Sequence, residues 1–166
     1  MRPVPTILMS LLLTAAMTAV GVMVSPAAFG ASPPVPVAGP MTWPDSVNQF
    51  VAQVRMTVRT TDMEGYLVAV NNPNGALLLD VREDAEFRSG HVPGAVNIPR
   101  GLLEFRIWTQ LGYPAKVNME RKIFVQCQTG SRATLATKQL QDIGFTNATA
   151  VIMSFEEWQQ KGNPVL

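Results

Sequence analysis

The chain has 166 residues, and its 13 Lys and Arg side chains nearly balance its 12 Asp and Glu side chains. This near-neutral charge gives no electrostatic basis for binding nucleic acid. The single cysteine excludes an internal disulfide, and one cysteine with one histidine does not make a metal site, so neither a metal nor another cofactor is expected.

The first 30 residues have the layout of a secretory signal peptide. Arg2 is their only charged residue, an uncharged apolar stretch covers 7–24, and Ala28 and Gly30 are small residues that suit a signal peptidase. The apolar stretch approaches the length of a membrane span, so a retained anchor is the alternative, and cleavage is favoured over it. We therefore expect an exported, periplasmic protein that meets a membrane only if the leader is retained.

A proline-rich segment separates this leader from the rest of the chain. Five prolines fall within 32–44, which indicates an extended linker over 31–44. The remaining residues, 45–166, are enough for one domain with one hydrophobic core. We expect this domain to be a monomer.

Hydrophobic periodicity and turn residues divide 45–166 into alternating helices and strands. Apolar residues spaced three or four apart predict helices, and short continuous apolar runs predict buried parallel strands. In chain order, the predicted elements are a helix over 47–58, a helix from the capping-box residues 61–64 to Val70, a strand over 76–81, one or two helical turns over 83–88, a strand over 95–98, a helix over 101–111, a strand over 122–126, a helix over 133–143, a strand over 148–152 and a short helix over 155–160. This alternation predicts an α/β domain with a mainly parallel sheet.

Two of these helices carry predictions about which side chains face the core. The first helix, capped by Asp45 or Ser46, is expected to turn one apolar face inward. That face consists of Val47, Phe50, Val51, Val54 and Val58. In the helix over 133–143, the expected inward residues are Leu135, Leu140 and Ile143.

Cys127 stands where a strand is predicted to turn into a helix. It opens the segment Cys127-Gln128-Thr129-Gly130-Ser131-Arg132. The backbone N–H groups of such a turn and the N-terminus of the following helix favour negative charge, and therefore favour the nucleophilic thiolate. The alternative is an inert, buried cysteine, but the flexible Gly130 and the basic Arg132 favour the reactive thiol.

Three separated motifs, in this order along the chain, resemble the rhodanese-like domain family. They are Leu79-Asp80-Val81-Arg82-Glu83 with Glu86-Phe87 and the segment 90–99, the Cys127 loop, and an ending made of Gly144-Phe145, Trp158 and 162–165. The resemblance covers roughly residues 60–166. It implies a small α/β domain with helices on both sides of a five-stranded parallel sheet, an active-site loop that cradles the cysteine sulfur, and sulfurtransferase chemistry.

For the Cys127 loop, the resemblance implies a covalent mechanism. The thiolate takes the sulfane sulfur of thiosulfate or a related donor, holds it as a persulfide, and passes it to a thiol or to cyanide. The loop amides from Gln128 to Arg132, through Thr129, Gly130 and Ser131, would stabilise the persulfide and the donor, and Arg132 would add a fixed positive charge. His91, the only histidine, is then a structural residue rather than a base.

Two other functions remain as alternatives. One is a persulfide carrier or binding module with little turnover, and the less favoured one is a phosphatase or arsenate reductase. Those enzymes have five residues between cysteine and arginine, whereas four separate Cys127 from Arg132 and position 133 is Ala. The shorter loop favours sulfur over phosphorus. The family's usual Gly-Gly pair is replaced by Met153-Ser154, and Met153 can wall the pocket, which puts donor specificity in question.

Charged residues at the predicted strand ends complete the candidate site. Asp80 and Arg82 follow an apolar strand, at the edge where parallel sheets place their sites, and are expected to brace the Cys127 loop; a plain salt bridge is the alternative. Arg100 and Glu104 are spaced to pair on a helix surface. Otherwise Arg100, or Arg106 beyond it, flanks the substrate mouth.

Overall fold

Residues 44–166 are described in the computed structural model of this protein. The expected signal peptide over 1–30, and all but the last residue of the expected linker over 31–44, lie outside the described residues. Within 44–166, no helix is both long enough and apolar enough to cross a membrane.

The described residues form a five-stranded, all-parallel sheet with helices on both faces. The helices are α1 (Asp45–Arg55), α2 (Met63–Asn71), α3 (Asp84–Arg88), α4 (Leu103–Gln110), α5 (Ser131–Asp142) and α6 (Phe155–Gln160), with a 3-10 turn at Arg100–Leu102 before α4. The strands are β1 (Arg59–Thr61), β2 (Leu77–Asp80), β3 (Val96–Asn97), β4 (Ile123–Gln126) and β5 (Ala148–Val151). Their order across the sheet is β1-β5-β4-β2-β3. The predicted fold class is confirmed.

Each central strand supplies side chains to two separate hydrophobic clusters, because successive residues of a strand point to opposite faces of the sheet. On one face, Leu79 and Val125 pack with buried residues of α4 and α5. On the other face, Leu78 and Phe124 pack with residues of α2 and α6. We call these faces the α5 face and the α6 face. Both strands are buried along their whole length, which explains why they read as continuous apolar runs.

The register of the sheet brings three strand ends to one level. Asp80 at the end of β2 is paired with Asn97 of β3 on one side and with Gln126 of β4 on the other. Cys127 follows Gln126 directly. The residues just beyond β2, β3 and β4 therefore meet at the carboxyl edge of the sheet, where parallel α/β sheets place their ligands.

Details of the first two helices differ from the sequence-based expectations. Pro44 precedes the first turn of α1, so neither Asp45 nor Ser46 is its cap, and α2 is capped by Asp62, whose carboxylate accepts from the Gly65 N–H. The expected inward face of α1 is wrong in part. Val51 is buried, but Val47 and Phe50 are 42% and 54% exposed, and Val58 lies beyond the end of the helix.

Two further differences have simple physical causes. The strand β1 was not predicted, because its three residues, Arg59–Thr61, are polar and largely exposed at the sheet edge. Leu140 of α5 is buried as expected, but Leu135 and Ile143, the residue that follows α5, are only half-buried. The other inward positions hold small side chains, Ala133, Thr134, Ala136 and Thr137, which let α5 lie close to the sheet.

Candidate active site

The sulfur of Cys127 is held by backbone N–H groups at the start of α5. The thiol is free and only 1% exposed, and it lies on the α5 face of the sheet. Its Sγ accepts hydrogen bonds from the N–H of Gly130 at 3.2 Å and from the N–H of Ala133 at 3.3 Å. Donors that converge on a sulfur from a turn and a helix N-terminus stabilise its anionic form.

Gly130 makes this sharp turn possible. Its φ of +86° lies in the left-handed region, and a Cβ there would sit 3.2 Å from the Ile152 Cα. A larger residue would therefore suffer both backbone strain and a clash with the chain that follows β5. The Gly130 carbonyl accepts from the backbone N–H and the hydroxyl of Thr134, which fixes the turn to α5.

A buried ion pair lies on the α6 face, on the opposite side of the sheet from Cys127. The Asp80 carboxylate accepts two hydrogen bonds from Arg82 Nε, at 3.1 and 3.0 Å, and one from Nη2 at 2.7 Å. It also accepts a hydrogen bond from the side-chain amide of Gln126. Because Gln126 precedes Cys127, Asp80 holds the base of the loop from the opposite face of the sheet.

Arg82 also contacts two other segments of the chain. Its Nη2 donates to the Gly90 carbonyl at 2.8 Å, and its guanidinium lies over the Phe155 ring, 4.0 Å from the centroid. The Phe155 N–H in turn donates to the carbonyl of Gln128 at 2.9 Å. The ion pair and the start of α6 therefore support the Cys127 loop together.

The guanidinium of Arg132 is paired with a carboxylate, which the sequence did not lead us to expect. Its Nη1 and Nη2 donate to the two carboxylate oxygens of Glu86, each at 2.7 Å. This bidentate hydrogen bonding lowers the pKa of Glu86 and raises the pKa of Arg132. The positive charge expected to face the donor is thus largely neutralised.

Glu86 is also fixed within its own helix. It forms a capping box with Glu83, whose N–H donates to the Glu86 Oε2 at 2.9 Å. The usual capping-box pattern has Ser, Thr, Asp or Asn at the first position and Glu or Gln three residues later, so Glu86 fits the pattern and Glu83 does not. The pattern gives no indication of the contact with Arg132, which lies 46 residues further along the chain.

The side chains of three other loop residues are more exposed than that of Cys127. Gln128 and Ser131 are half-buried, and Thr129 is exposed. Of the amides expected to hold the sulfur, 128–132, only that of Gly130 bonds Sγ among the described residues, and the second donor, Ala133, lies outside that set. The structure thus brings together the expected loop, Asp80 and Arg82, and adds Ala133, Glu86 and Gln126. A family model described as the rhodanese-like domain matches residues 66–161, more than half of the chain.

The chain belongs to the rhodanese-like domain family. Human thiosulfate:glutathione sulfurtransferase is 35% identical over 94 residues, which make up 52% of this chain and 81% of that protein. The Bacillus subtilis protein YrkF, whose name proposes a sulfur-carrier function, is 28% identical over 99 residues, or 60% of this chain and 50% of that protein. This chain spans half the length of YrkF, so the likeness covers only part of that protein.

A solved structure with the same fold supports this membership. The human single-domain sulfurtransferase TSTD1 matches with a TM-score of 0.52 at 28% sequence identity. The match covers 61% of this chain and 96% of that one.

His91 of this rhodanese-like domain is held by contacts to neighbouring backbone and to one ring. Its Nδ1 lies 3.1 Å from the Phe87 carbonyl oxygen, and its ring stacks on Phe87 with 3.9 Å between the centroids. Its backbone exchanges two hydrogen bonds with Leu166, at 3.0 and 2.9 Å. These contacts are those of a structural residue that fastens the C-terminal segment.

The Met153-Ser154 pair, where the family usually has Gly-Gly, has a structural use here. The Met153 side chain is buried in the cluster on the α6 face, together with Trp158. The Ser154 hydroxyl accepts from the Glu157 N–H at 3.3 Å and so caps α6. The pair therefore anchors the helix whose first N–H, that of Phe155, donates to the Gln128 carbonyl of the Cys127 loop.

The expected surface pair between Arg100 and Glu104 does not form in the part of the chain that the structure describes. Arg100 belongs to the 3-10 turn, and α4 begins only at Leu103, so the two residues lack the spacing of an α-helix. The Nε of Arg100 is buried and has no hydrogen-bond partner among the described residues.

Proposed function

We propose that this rhodanese-like protein is a sulfurtransferase. It moves a sulfane sulfur from thiosulfate or a related donor to a thiol, or to cyanide in an assay, through a persulfide on Cys127. The observation that carries the proposal is the Sγ of Cys127, which sits at the carboxyl edge of the sheet and accepts two backbone N–H bonds. The likeness to a human thiosulfate:glutathione sulfurtransferase supports it.

In the first step, the Cys127 thiolate attacks the outer sulfur of thiosulfate. A new S–S bond forms, the S–S bond of the donor breaks, and its electron pair leaves with sulfite. The product on the protein is a persulfide anion, so charge is conserved. The N–H groups at the start of α5 are positioned to stabilise this anion.

In the second step, an acceptor thiolate or cyanide attacks the outer sulfur of the persulfide. The S–S bond to Cys127 breaks, its electrons return to the Cys127 sulfur, and the acceptor leaves as a persulfide or as thiocyanate. Neither step transfers a proton when the sulfurs are anionic. The mechanism therefore needs no base, in keeping with the structural contacts of His91.

The test is the mass of the protein after incubation with thiosulfate. We expect wild type to gain one sulfur atom on Cys127, to lose it on addition of cyanide, and to release thiocyanate. Cys127→Ala should gain none. A wild-type protein that takes up no sulfur from thiosulfate, polysulfide or another sulfane donor would contradict the proposal.

A persulfide carrier with little turnover is the second candidate. It is favoured by the almost complete burial of the thiol and by the likeness to YrkF. A carrier would load one sulfur per Cys127 but would form no more than one equivalent of thiocyanate. Counting thiocyanate per protein over time separates it from an enzyme, which continues to turn over.

We also propose, from the sequence of residues 1–30 alone, that the protein is exported to the periplasm. The proposal is supported by the basic residue near the start of this segment, by its apolar middle, and by the small residues at its end that suit a signal peptidase. Determining the N-terminal residue of the protein purified from cell fractions tests it. A protein that begins at Met1 and is recovered from the cytoplasm would contradict it.

A further inference from the structure

A donor such as thiosulfate brings two negative charges to the Cys127 loop, yet the arginines nearest the loop in sequence and structure are already paired. Arg132 is engaged through both terminal nitrogens by Glu86. Arg82 is buried against Asp80. Neither offers an unpaired charge to the anionic end of a donor.

The backbone places Arg100 at the same edge of the sheet as the nucleophile. The Arg100 N–H donates to the Val81 carbonyl at 3.2 Å, and the Val81 N–H donates to the Gln126 carbonyl at 3.0 Å. Val81 therefore connects Arg100 on one side with the residue that precedes Cys127 on the other. Two strand spacings separate the outer segments, roughly 10 Å, which a long side chain can largely span.

The side chain of Arg100 lacks the partners that a guanidinium usually has. It is half-buried, its Nε is shielded from solvent, and no hydrogen bond or ion pair to it exists within residues 44–166. A buried N–H without an acceptor is unfavourable, and an anion supplies that acceptor. The planar guanidinium also matches the paired oxygens of a sulfonate or carboxylate.

We propose that Arg100 binds the anionic end of the sulfur donor and is thus the donor-recognition residue of this site. The proposal rests on the proposed sulfurtransferase function. It assigns to Arg100 the role that the sequence suggested for Arg132. Arg106, the other residue that the sequence offered for the substrate mouth, is exposed on α4 and lies outside the turn that is bonded to Val81, so it serves as the matched control of the same charge.

The first experiment measures persulfide formation as a function of thiosulfate concentration for wild type, Arg100→Gln, Arg100→Lys and Arg106→Gln. We expect Arg100→Gln to raise the KM for thiosulfate about tenfold or more, the size of one lost charge-assisted hydrogen bond, with kcat little changed. Arg100→Lys should restore part of the affinity, and Arg106→Gln should match wild type. An unchanged KM in Arg100→Gln, or an equal rise in Arg106→Gln, overturns the proposal.

A second experiment works even if no sulfur is transferred. The Cys127 thiolate displaces iodide from anionic iodoacetate and from neutral iodoacetamide, and the ratio of the two rates reports the charge at the thiol. We expect Arg100→Gln to lower this ratio severalfold and Arg106→Gln to leave it unchanged. An unaltered ratio overturns the proposal for Arg100. Absence of sulfur uptake by wild type instead contradicts the sulfurtransferase function alone.

Discussion

Two arginine–carboxylate pairs flank the Cys127 loop, with the same chemistry in different surroundings. In both, the shortest N–O distance is 2.7 Å. The side chains of Asp80 and Arg82 are 0% and 2% exposed, whereas those of Glu86 and Arg132 are 34% and 33% exposed. The first pair lies behind the loop on the α6 face, and the second pair joins the first turn of α5 to α3.

The difference in burial gives the two pairs different roles. A buried charge that loses its partner keeps its full desolvation penalty, so the Asp80–Arg82 pair cannot open without damage to the fold. The Glu86–Arg132 pair is partly screened by water, and breaking it costs little. We therefore expect the buried pair to fix the loop, and the partly buried Glu86–Arg132 pair to set how much positive charge the loop presents.

Removing Asp80 should have the largest effect. Asp80→Ala leaves Arg82 buried without a counter-charge, and we expect the free energy of unfolding to fall by about 3–5 kcal/mol. Urea denaturation measures it. Asp84→Ala is the matched control, since it breaks an exposed pair with Arg88 and should cost at most about 0.5 kcal/mol. Equal losses in the two variants would show that burial does not distinguish the pairs.

The sequence was sufficient to predict the part of the fold that depends on local pattern. The buried strands β2 and β4 have continuous apolar runs, and α6 begins and ends where its pattern predicts, at Phe155–Gln160. The exposed face of α1 was not predictable in this way. A helix with an apolar stripe is expected to bury that stripe, and only the tertiary structure shows that the Phe50 side chain is 54% exposed among the described residues.

In the candidate site, too, local pattern predicts some contacts and misses those that depend on tertiary structure. Asp80 is the last residue of β2 and Cys127 directly follows β4, so the pairing of these two parallel strands brings them together. The contact between Glu86 and Arg132 spans 46 residues and depends on how α3 is placed beside α5. The spacing of Arg100 and Glu104 predicted an ion pair on one helix. That pair does not form among the described residues, because α4 begins only at Leu103.

Neutralising Glu86 should have a smaller effect, seen in kinetics rather than in folding. Glu86→Gln keeps the shape of the side chain and its capping contact but frees the charge of Arg132 for the donor. We expect the KM for thiosulfate to fall about threefold, equal to ~0.7 kcal/mol. Steady-state kinetics measure this, with Glu64→Gln on the exposed side of α2 as a control for net charge. A rise in KM would mean that Glu86 positions Arg132 for the donor instead of withholding it.

The smallest expected effect is the pH dependence of the Glu86–Arg132 pair. Arg132 lowers the pKa of Glu86 in the folded protein, so the carboxylate stabilises the fold above its ordinary pKa of about 4.3. This stabilisation is lost as the pH falls through the lowered value. The difference in free energy of unfolding between wild type and Glu86→Gln, on the order of 0.5 kcal/mol at pH 7, should therefore shrink steadily below about pH 4. If the difference in free energy of unfolding instead stays constant down to pH 3, it arises from packing and not from charge. The Glu86–Arg132 pair would then stabilise the fold by its fit, as the buried Asp80–Arg82 pair does.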